Sequence, residues 1–152
     1  IETTPEFDGK LLASGGEDGR LRLWDVETCE LRQFLEAGQK DTLTVAISPD
    51  GQTPAAGGID GQVRLWELPA GQRRAEFRVT SGRVQHLAFS PDGKKLATAG
   101  GDGAAALWNA ASAKRLADLP YLGPACYAAS FSPDGQTLAL AGTDGVVGLA
   151  NA

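Results

Sequence analysis

The 152-residue sequence has a single histidine, two cysteines and no methionine. One histidine, His86, rules out a histidine-based metal cluster or a His–His relay, and any catalytic triad would have to be built on that residue. Two cysteines, Cys29 and Cys126, do not make a disulfide framework, and both are expected to be free and half-buried. No apolar run approaches the roughly 20 residues that a membrane-spanning helix needs, and the first residues do not read as a secretory signal. These absences favour the cytoplasm. The lack of an initiator methionine suits a processed product or a piece of a longer chain. No lysine- or arginine-rich block is present, which argues against nucleic acid or a membrane as a partner. Neither a Cys-x-x-Cys pair, a G-x-S-x-G elbow nor an Asp-x-Asp calcium loop with a terminal glutamate occurs, so no catalytic, cofactor-binding or metal site is assigned.

What is abundant is glycine, 20 residues of it, in a chain whose 42% hydrophobic and 22% charged content is that of a globular protein. The net charge of -5 says little about partners. Asp8, Asp18, Asp50, Asp60, Asp92, Asp102, Asp134 and Asp144 each precede a glycine and are turn residues first.

These pairs fall into two series with a constant step of 42 residues, one running Asp18, Asp60, Asp102, Asp144 and the other Asp8, Asp50, Asp92, Asp134. Trp24, Trp66, Trp108 and Ala150 form a third column with the same step. The stretch "AFSPDGKKLATAGGDGAAALW" at 88–108 is a variant of "AISPDGQTPAAGGIDGQVRLW" at 46–66. Between the turn signals lie short, partly β-branched apolar runs and no amphipathic run of helical length. Asp-Gly between two such runs predicts a hairpin with a type I′ turn, and Ser-Pro-Asp-Gly a second tight turn with proline at its first corner. Each unit then holds about four strands, and four-stranded sheets repeated radially bury their faces on one another. Counting strands gives three in the first unit, four in the second and third, and three in the fourth. Pro5 falls where an inner strand of the first unit would run, which disfavours pairing there.

"SPDGKKLATAGGDGAAALWN" resembles the second half of a WD40 repeat, and Leu23-Trp24-Asp25 matches the signature dipeptide of that family, varied to Trp66-Glu67 and Trp108-Asn109. The resemblance covers almost the whole chain and implies an all-β, WD40-like β-propeller of four-stranded antiparallel blades. The blades span about 1–37, 42–79, 84–120 and 126–152, as a partial ring or a ring closed by oligomerisation. The family's blades carry a hydrogen-bonded tetrad of histidine, Ser/Thr, turn aspartate and tryptophan. Here Gly38, Thr80 and Leu122 stand at the histidine's place, and the Ser/Thr column reads Ser14, Ala56, Thr98, Leu140. The tetrad cannot be completed in any blade. Asp18, Asp60, Asp102 and Asp144 must therefore find other partners or face water, while Trp24, Trp66 and Trp108 are expected as core between blades. The fourth unit, with Ala150 in the tryptophan column, is the most degenerate.

The glycine pairs Gly15-Gly16, Gly57-Gly58 and Gly100-Gly101 lack the lysine and helix of a phosphate loop and read as turn or close-packing residues. The resemblance implies binding through the loops leading into the inner strands and through the Asp-Gly hairpins. On this chain those positions are Glu17, Ile59, Lys40, Asp41, Arg83 and Tyr121, with Leu43, Gln85 and Tyr127 on the inner strands and His86 beside them. The expected function is a non-catalytic protein-interaction scaffold with a protein or peptide partner, no cofactor, and a possible homodimer that completes the ring. The alternatives are a regulatory or positioning segment of a larger multidomain protein, or an excerpted or engineered propeller fragment.

Overall fold

Each Asp-Gly pair closes a hairpin. In the first, the Gly19 amide donates to the Gly16 carbonyl at 3.0 Å and the Arg20 amide to Asp18 Oδ1 at 3.3 Å. Gly19 has φ of 72°, whereas Asp18, Asp60 and Asp102 are not in the left-handed region. A type I′ turn needs positive φ at both central residues, so the turn expected from the sequence is not the one formed. A residue with a Cβ loses roughly 1–2 kcal/mol in that conformation, and a longer loop that ends on one glycine avoids the cost. The Ser-Pro-Asp-Gly turns are as expected. The Gly51 amide reaches the Ser48 carbonyl at 2.8 Å, while Ser48 Oγ donates to Asp50 Oδ1 at 2.5 Å and accepts from the Thr53 amide at 2.9 Å. Ser90 with Asp92 and Ser132 with Asp134 repeat this arrangement.

A computed structural model of the chain describes residues 10–38, 41–120 and 123–152, and the backbone of 3–4. Pro5, Asp8, Lys40, Tyr121 and Leu122 lie outside the described residues. The strands form four antiparallel sheets in chain order. The first holds β1 (Thr3–Thr4), β2 (Leu11–Gly15), β3 (Arg20–Asp25) and β4 (Leu31–Glu36). The second holds β5 (Thr42–Ile47), β6 (Pro54–Gly58), β7 (Gln62–Glu67) and β8 (Gln72–Arg78). The third holds β9 (Val84–Phe89), β10 (Lys95–Gly100), β11 (Ala105–Asn109) and β12 (Arg115–Asp118), and the fourth β13 (Cys126–Phe131), β14 (Thr137–Gly142) and β15 (Val147–Asn151). The strand counts of the last three sheets match the sequence reading. The first has one more strand than expected, because Thr3 and Thr4 pair with Ser14 and Ala13. Both paired residues precede Pro5, so the ladder asks no amide of the proline.

Strand alternation sends successive side chains to opposite faces, and each face meets a neighbouring sheet. Leu21, Leu23 and Ala13 of the first sheet bury against Val45, Ile47, Ala56 and Trp66 of the second. Val63, Leu65 and Ala55 of the second bury against Leu87, Phe89, Leu96 and Trp108 of the third. Ala97, Leu107 and Leu119 of the third bury against Leu138, Leu140 and Cys126 of the fourth, with Phe131 and Ala150 at the margin. The inner strands β5, β9 and β13 run beside one another, which makes the sheets blades of a partial ring. Trp66 and Trp108 face the preceding blade and are 2% and 6% exposed, while Trp24, in the first of the described blades, is half-buried.

The cysteines depart from expectation, since neither is half-buried. Cys29 is exposed on the turn between β3 and β4, and Cys126 is fully buried on the face of β13 that meets the third blade. Cys29 also has φ of 58°, as Gly71 has 66° at the equivalent turn of the second blade. Glycine is the residue suited to that backbone.

Two stability measurements follow from this packing. Trp66→Ala is expected to lower unfolding free energy by about 3–5 kcal/mol in urea titrations, and a change under about 1 kcal/mol would contradict the burial of its ring between blades. Cys29→Gly is expected to raise stability by about 0.5–1 kcal/mol, the relief of left-handed strain less the added freedom of glycine in the unfolded chain. A loss in the same titration would contradict it.

Candidate functional site

One rim of the partial ring collects the Asp-Gly hairpins and the loops that lead into the inner strands. They are tied in sequence by backbone hydrogen bonds. The Asp41 amide donates to the Glu17 carbonyl at 3.3 Å, the Ile59 amide to the Asp41 carbonyl at 3.2 Å, and the Gly101 amide to the Arg83 carbonyl at 2.9 Å. Hairpin, approach loop and next hairpin thus form one continuous surface. Glu17, Ile59 and Arg83 are exposed on it, and Asp41 is half-buried.

Leu43, Gln85 and Tyr127 share a feature that spacing alone did not reveal. Thr42 pairs with Gly58 and Thr44 with Gly57, leaving Leu43 unpaired. Val84 and His86 pair with Gly100 and Ala99, and Cys126 and Ala128 with Gly142 and Ala141, leaving Gln85 and Tyr127 unpaired in the same way. The inner strands β5, β9 and β13 therefore each carry a β-bulge at this column, which re-aims one side chain out of the ladder. Leu43 and Gln85 are half-buried and Tyr127 is exposed. Glycine within a strand is the sequence signal for a bulge, and the Gly57-Gly58 and Gly100-Gly101 pairs lie opposite the first two. They are close-packing residues as well: a Cβ on Gly57 would stand 2.5 Å from Val84 Cγ1 of the next blade.

His86 points elsewhere. Its Nδ1 accepts a hydrogen bond from the Ala129 amide at 3.4 Å, joining β9 to β13. It also lines an open cavity of about 690 Å³ along the inner strands, whose walls include Ala46, Leu87, Phe89, Ala129 and Phe131. Among the described residues, no group of three or more His, Cys, Asp or Glu side chains is placed to hold a metal ion.

The turn aspartates have found the substitutes that a missing histidine demanded. Arg22 Nη2 lies 2.5 Å from Asp18 Oδ2, and this hydrogen bond holds the Asp18 carboxyl below the usual carboxylate range. Arg64 Nη2 reaches Asp60 Oδ2 at 2.7 Å and Glu76 Oε1 at 2.9 Å. Burial raises the pKa of Asp60, but the guanidinium together with the Gln62 amide outweighs it and the net shift is downward. Gly38 makes room for this arginine, since a Cβ there would stand 3.2 Å from Arg64 Nη1. The third blade has Ala106 in the arginine column and uses hydroxyls instead. Ser81 donates to Asp102 Oδ2 from its amide at 2.9 Å and from Oγ at 2.6 Å. Burial pushes Asp102 up, yet the Ser81 and Thr80 hydroxyls and the Ala104 amide bring its carboxyl well below the usual range. The arginine column was not singled out in the sequence, because an arginine on a strand gives no local signal of the carboxylate it will meet.

The indoles keep part of the family's bonding. Trp24 Nε1 donates to Ser14 Oγ at 2.8 Å and Trp108 Nε1 to Thr98 Oγ1 at 3.0 Å. Ala56 and Leu140 offer no hydroxyl at the equivalent positions.

Carboxylates held this firmly ionised act as fixed acceptors that shape the rim, and they do not exchange protons near neutrality. A folded-state pKa below the unfolded value of about 3.9 gives Asp102 a stabilising role that is fully present above that pH and lost as pH falls through the folded value. The stability gap between the wild type and Asp102→Asn is therefore expected to be widest near about pH 6 and to shrink toward about pH 2, read from urea midpoints. A gap independent of pH would contradict the ionic role.

The family model described as "WD domain, G-beta repeat" matches residues 5–25, 29–67 and 71–109, which is more than half of the chain. The matched segments cover the tryptophan turns of the first three blades, and the blade order, the repeat step and the retained indole bonds agree with that match. The chain belongs to the WD40-repeat family.

Proposed function

We propose that this propeller segment is a non-catalytic protein-interaction scaffold that takes a protein or peptide partner on the rim. WD40 repeats generally mediate protein–protein interaction. The observation that carries the reading to particular residues is the triple bulge. It offers Leu43, Gln85 and Tyr127 at regular intervals beside Ile59 and Arg83, while the repeated leucines Leu23, Leu65 and Leu107 stay in the blade cores. An apolar group, an amide, a phenol and a cation in one row suit an extended peptide, with tyrosine and arginine as its anchors. The blades of about 1–37, 42–79, 84–120 and 126–152 act as one unit in this reading, and no cofactor enters it.

The test is selection of a random peptide display library on the immobilised chain. Enriched peptides are expected to lose at least about tenfold in affinity, roughly 1.4 kcal/mol, on Tyr127→Ala or Arg83→Ala, and to be indifferent to Arg73→Ala on the outer strand β8. Enrichment that ignores the rim variants, or no enrichment at all, would overturn the reading.

A further inference from the structure

The hairpin column that holds Glu17 in the first blade and Ile59 in the second holds a glycine in the third. Two neighbouring side chains border the place that a side chain at Gly101 would fill: a Cβ there would stand 3.1 Å from Arg83 Cγ and 3.3 Å from Gln85 Nε2. The Gly101 amide also donates to the Arg83 carbonyl at 2.9 Å, so approach loop and hairpin are tied together at this point. One gap in the rim thus gathers an exposed arginine and the carboxamide that the β9 bulge turns out of the ladder.

Arg83 is set apart by what its charge does. Each other arginine of the chain is engaged within it, either with a carboxylate, as Arg20 is with Glu36 at 3.1 Å, or with a backbone carbonyl, as Arg78 is with that of Asp60 at 3.0 Å. Among the described residues, none takes a hydrogen bond or an ion pair from the Arg83 guanidinium. Asp102, the residue after the gap, does not serve, because its carboxylate is taken up by Ser81, Thr80 and the Ala104 amide. The counterparts of Arg83 in the other approach loops are Asp41 and Ala125, so the repeat itself does not require a cation here.

We infer that Arg83 and Gln85 form a subsite for a carboxylate, supplied by an aspartate or glutamate side chain within the peptide that the rim binds. The subsite depends on the rim being a peptide site, as proposed above. A guanidinium offers two parallel N–H donors that match the two oxygens of a carboxylate, and Gln85 Nε2 adds a further donor beside it. The source is a side chain and not a chain terminus, because the row runs on from Gln85 to Leu43 on β5 in one direction and to Tyr127 on β13 in the other. An extended peptide along it meets Arg83 partway along its length. Charge complementarity of this kind selects the partner and sets its register more than it adds affinity.

Peptides enriched from a random display library on the immobilised full chain, then synthesised with amidated C-termini, read the outcome by fluorescence anisotropy. The enriched set is expected to share Asp or Glu at one position. Its change to Asn or Gln is expected to weaken binding by at least about tenfold on the wild-type chain and by under about twofold on Arg83→Gln. Arg83→Lys, which keeps the charge and loses the planar fork, is expected to restore only part of the preference. Gly101→Glu, which gives the third hairpin the residue of the first, is expected to abolish it by offering Arg83 a carboxylate of its own chain, and Arg83→Gln carries the test alone where that variant fails to fold. Peptides that are lost on Tyr127→Ala yet share no acid would overturn the subsite and leave the rim as a peptide site. So would an acid whose replacement costs as much on Arg83→Gln, or peptides that bind only with a free C-terminal carboxylate. No enrichment at all would overturn both.

Discussion

Burial of one blade's face on the next is the constraint from which the rest of the structure follows. A single sheet of three or four strands has two apolar faces and cannot hide either alone. The repeat of 42 residues supplies the remedy by placing Leu23, Leu65 and Leu107 on one face and Trp66 and Trp108 on the other, so each blade completes its neighbour's core. Hydrogen bonding fixes the shape of each blade, but it is this alternating apolar contact that sets blades side by side and brings the inner strands, and with them the rim, into one surface.

The polar side of the design shows how freely a repeat can change chemistry when geometry is preserved. The aspartate of each hairpin is constant, because its carboxylate accepts the amide two residues on and closes the turn. The partner that holds its other oxygen differs: a half-buried arginine in the first blade, a buried arginine shared with Glu76 in the second, hydroxyls from the approach loop in the third. The buried guanidinium of Arg64 is tolerated because two carboxylates lie against it, whereas an unpaired charge there would be strongly destabilising. Glycine at 38, which looked like a simple loss of the family's histidine, is the space that this arginine occupies.

Much of the architecture was legible in the sequence because it rests on local chemistry repeated in register. The Ser-Pro-Asp-Gly turns, the tryptophan column and the strand count of three blades needed only spacing and side-chain type. What was not legible depended on contacts between distant residues. The Asp-Gly turn type was misread because the loop is longer than the pair that marks it. Cys29 and Cys126 were misplaced because their burial depends on which element and which face each joins, and thiols give no periodic signal of their own. The β1 pairing was hidden by a proline that follows the paired residues. At the rim, the columns of Leu43, Gln85 and Tyr127 were visible, but the bulges that re-aim them appear only once the inner strand is laid against its partner.

If blades are held together by shared apolar clusters, side chains in one cluster must be energetically coupled and those in different clusters must not. A double-mutant cycle on Leu23→Ala and Trp66→Phe, which lie on different blades in one cluster, measures this directly. A coupling of about 0.5–3 kcal/mol is predicted, with Leu23→Ala and the same change at Trp108, in the next cluster, adding to within about 0.5 kcal/mol. Additivity at the first pair, or equal coupling at both, would contradict the account.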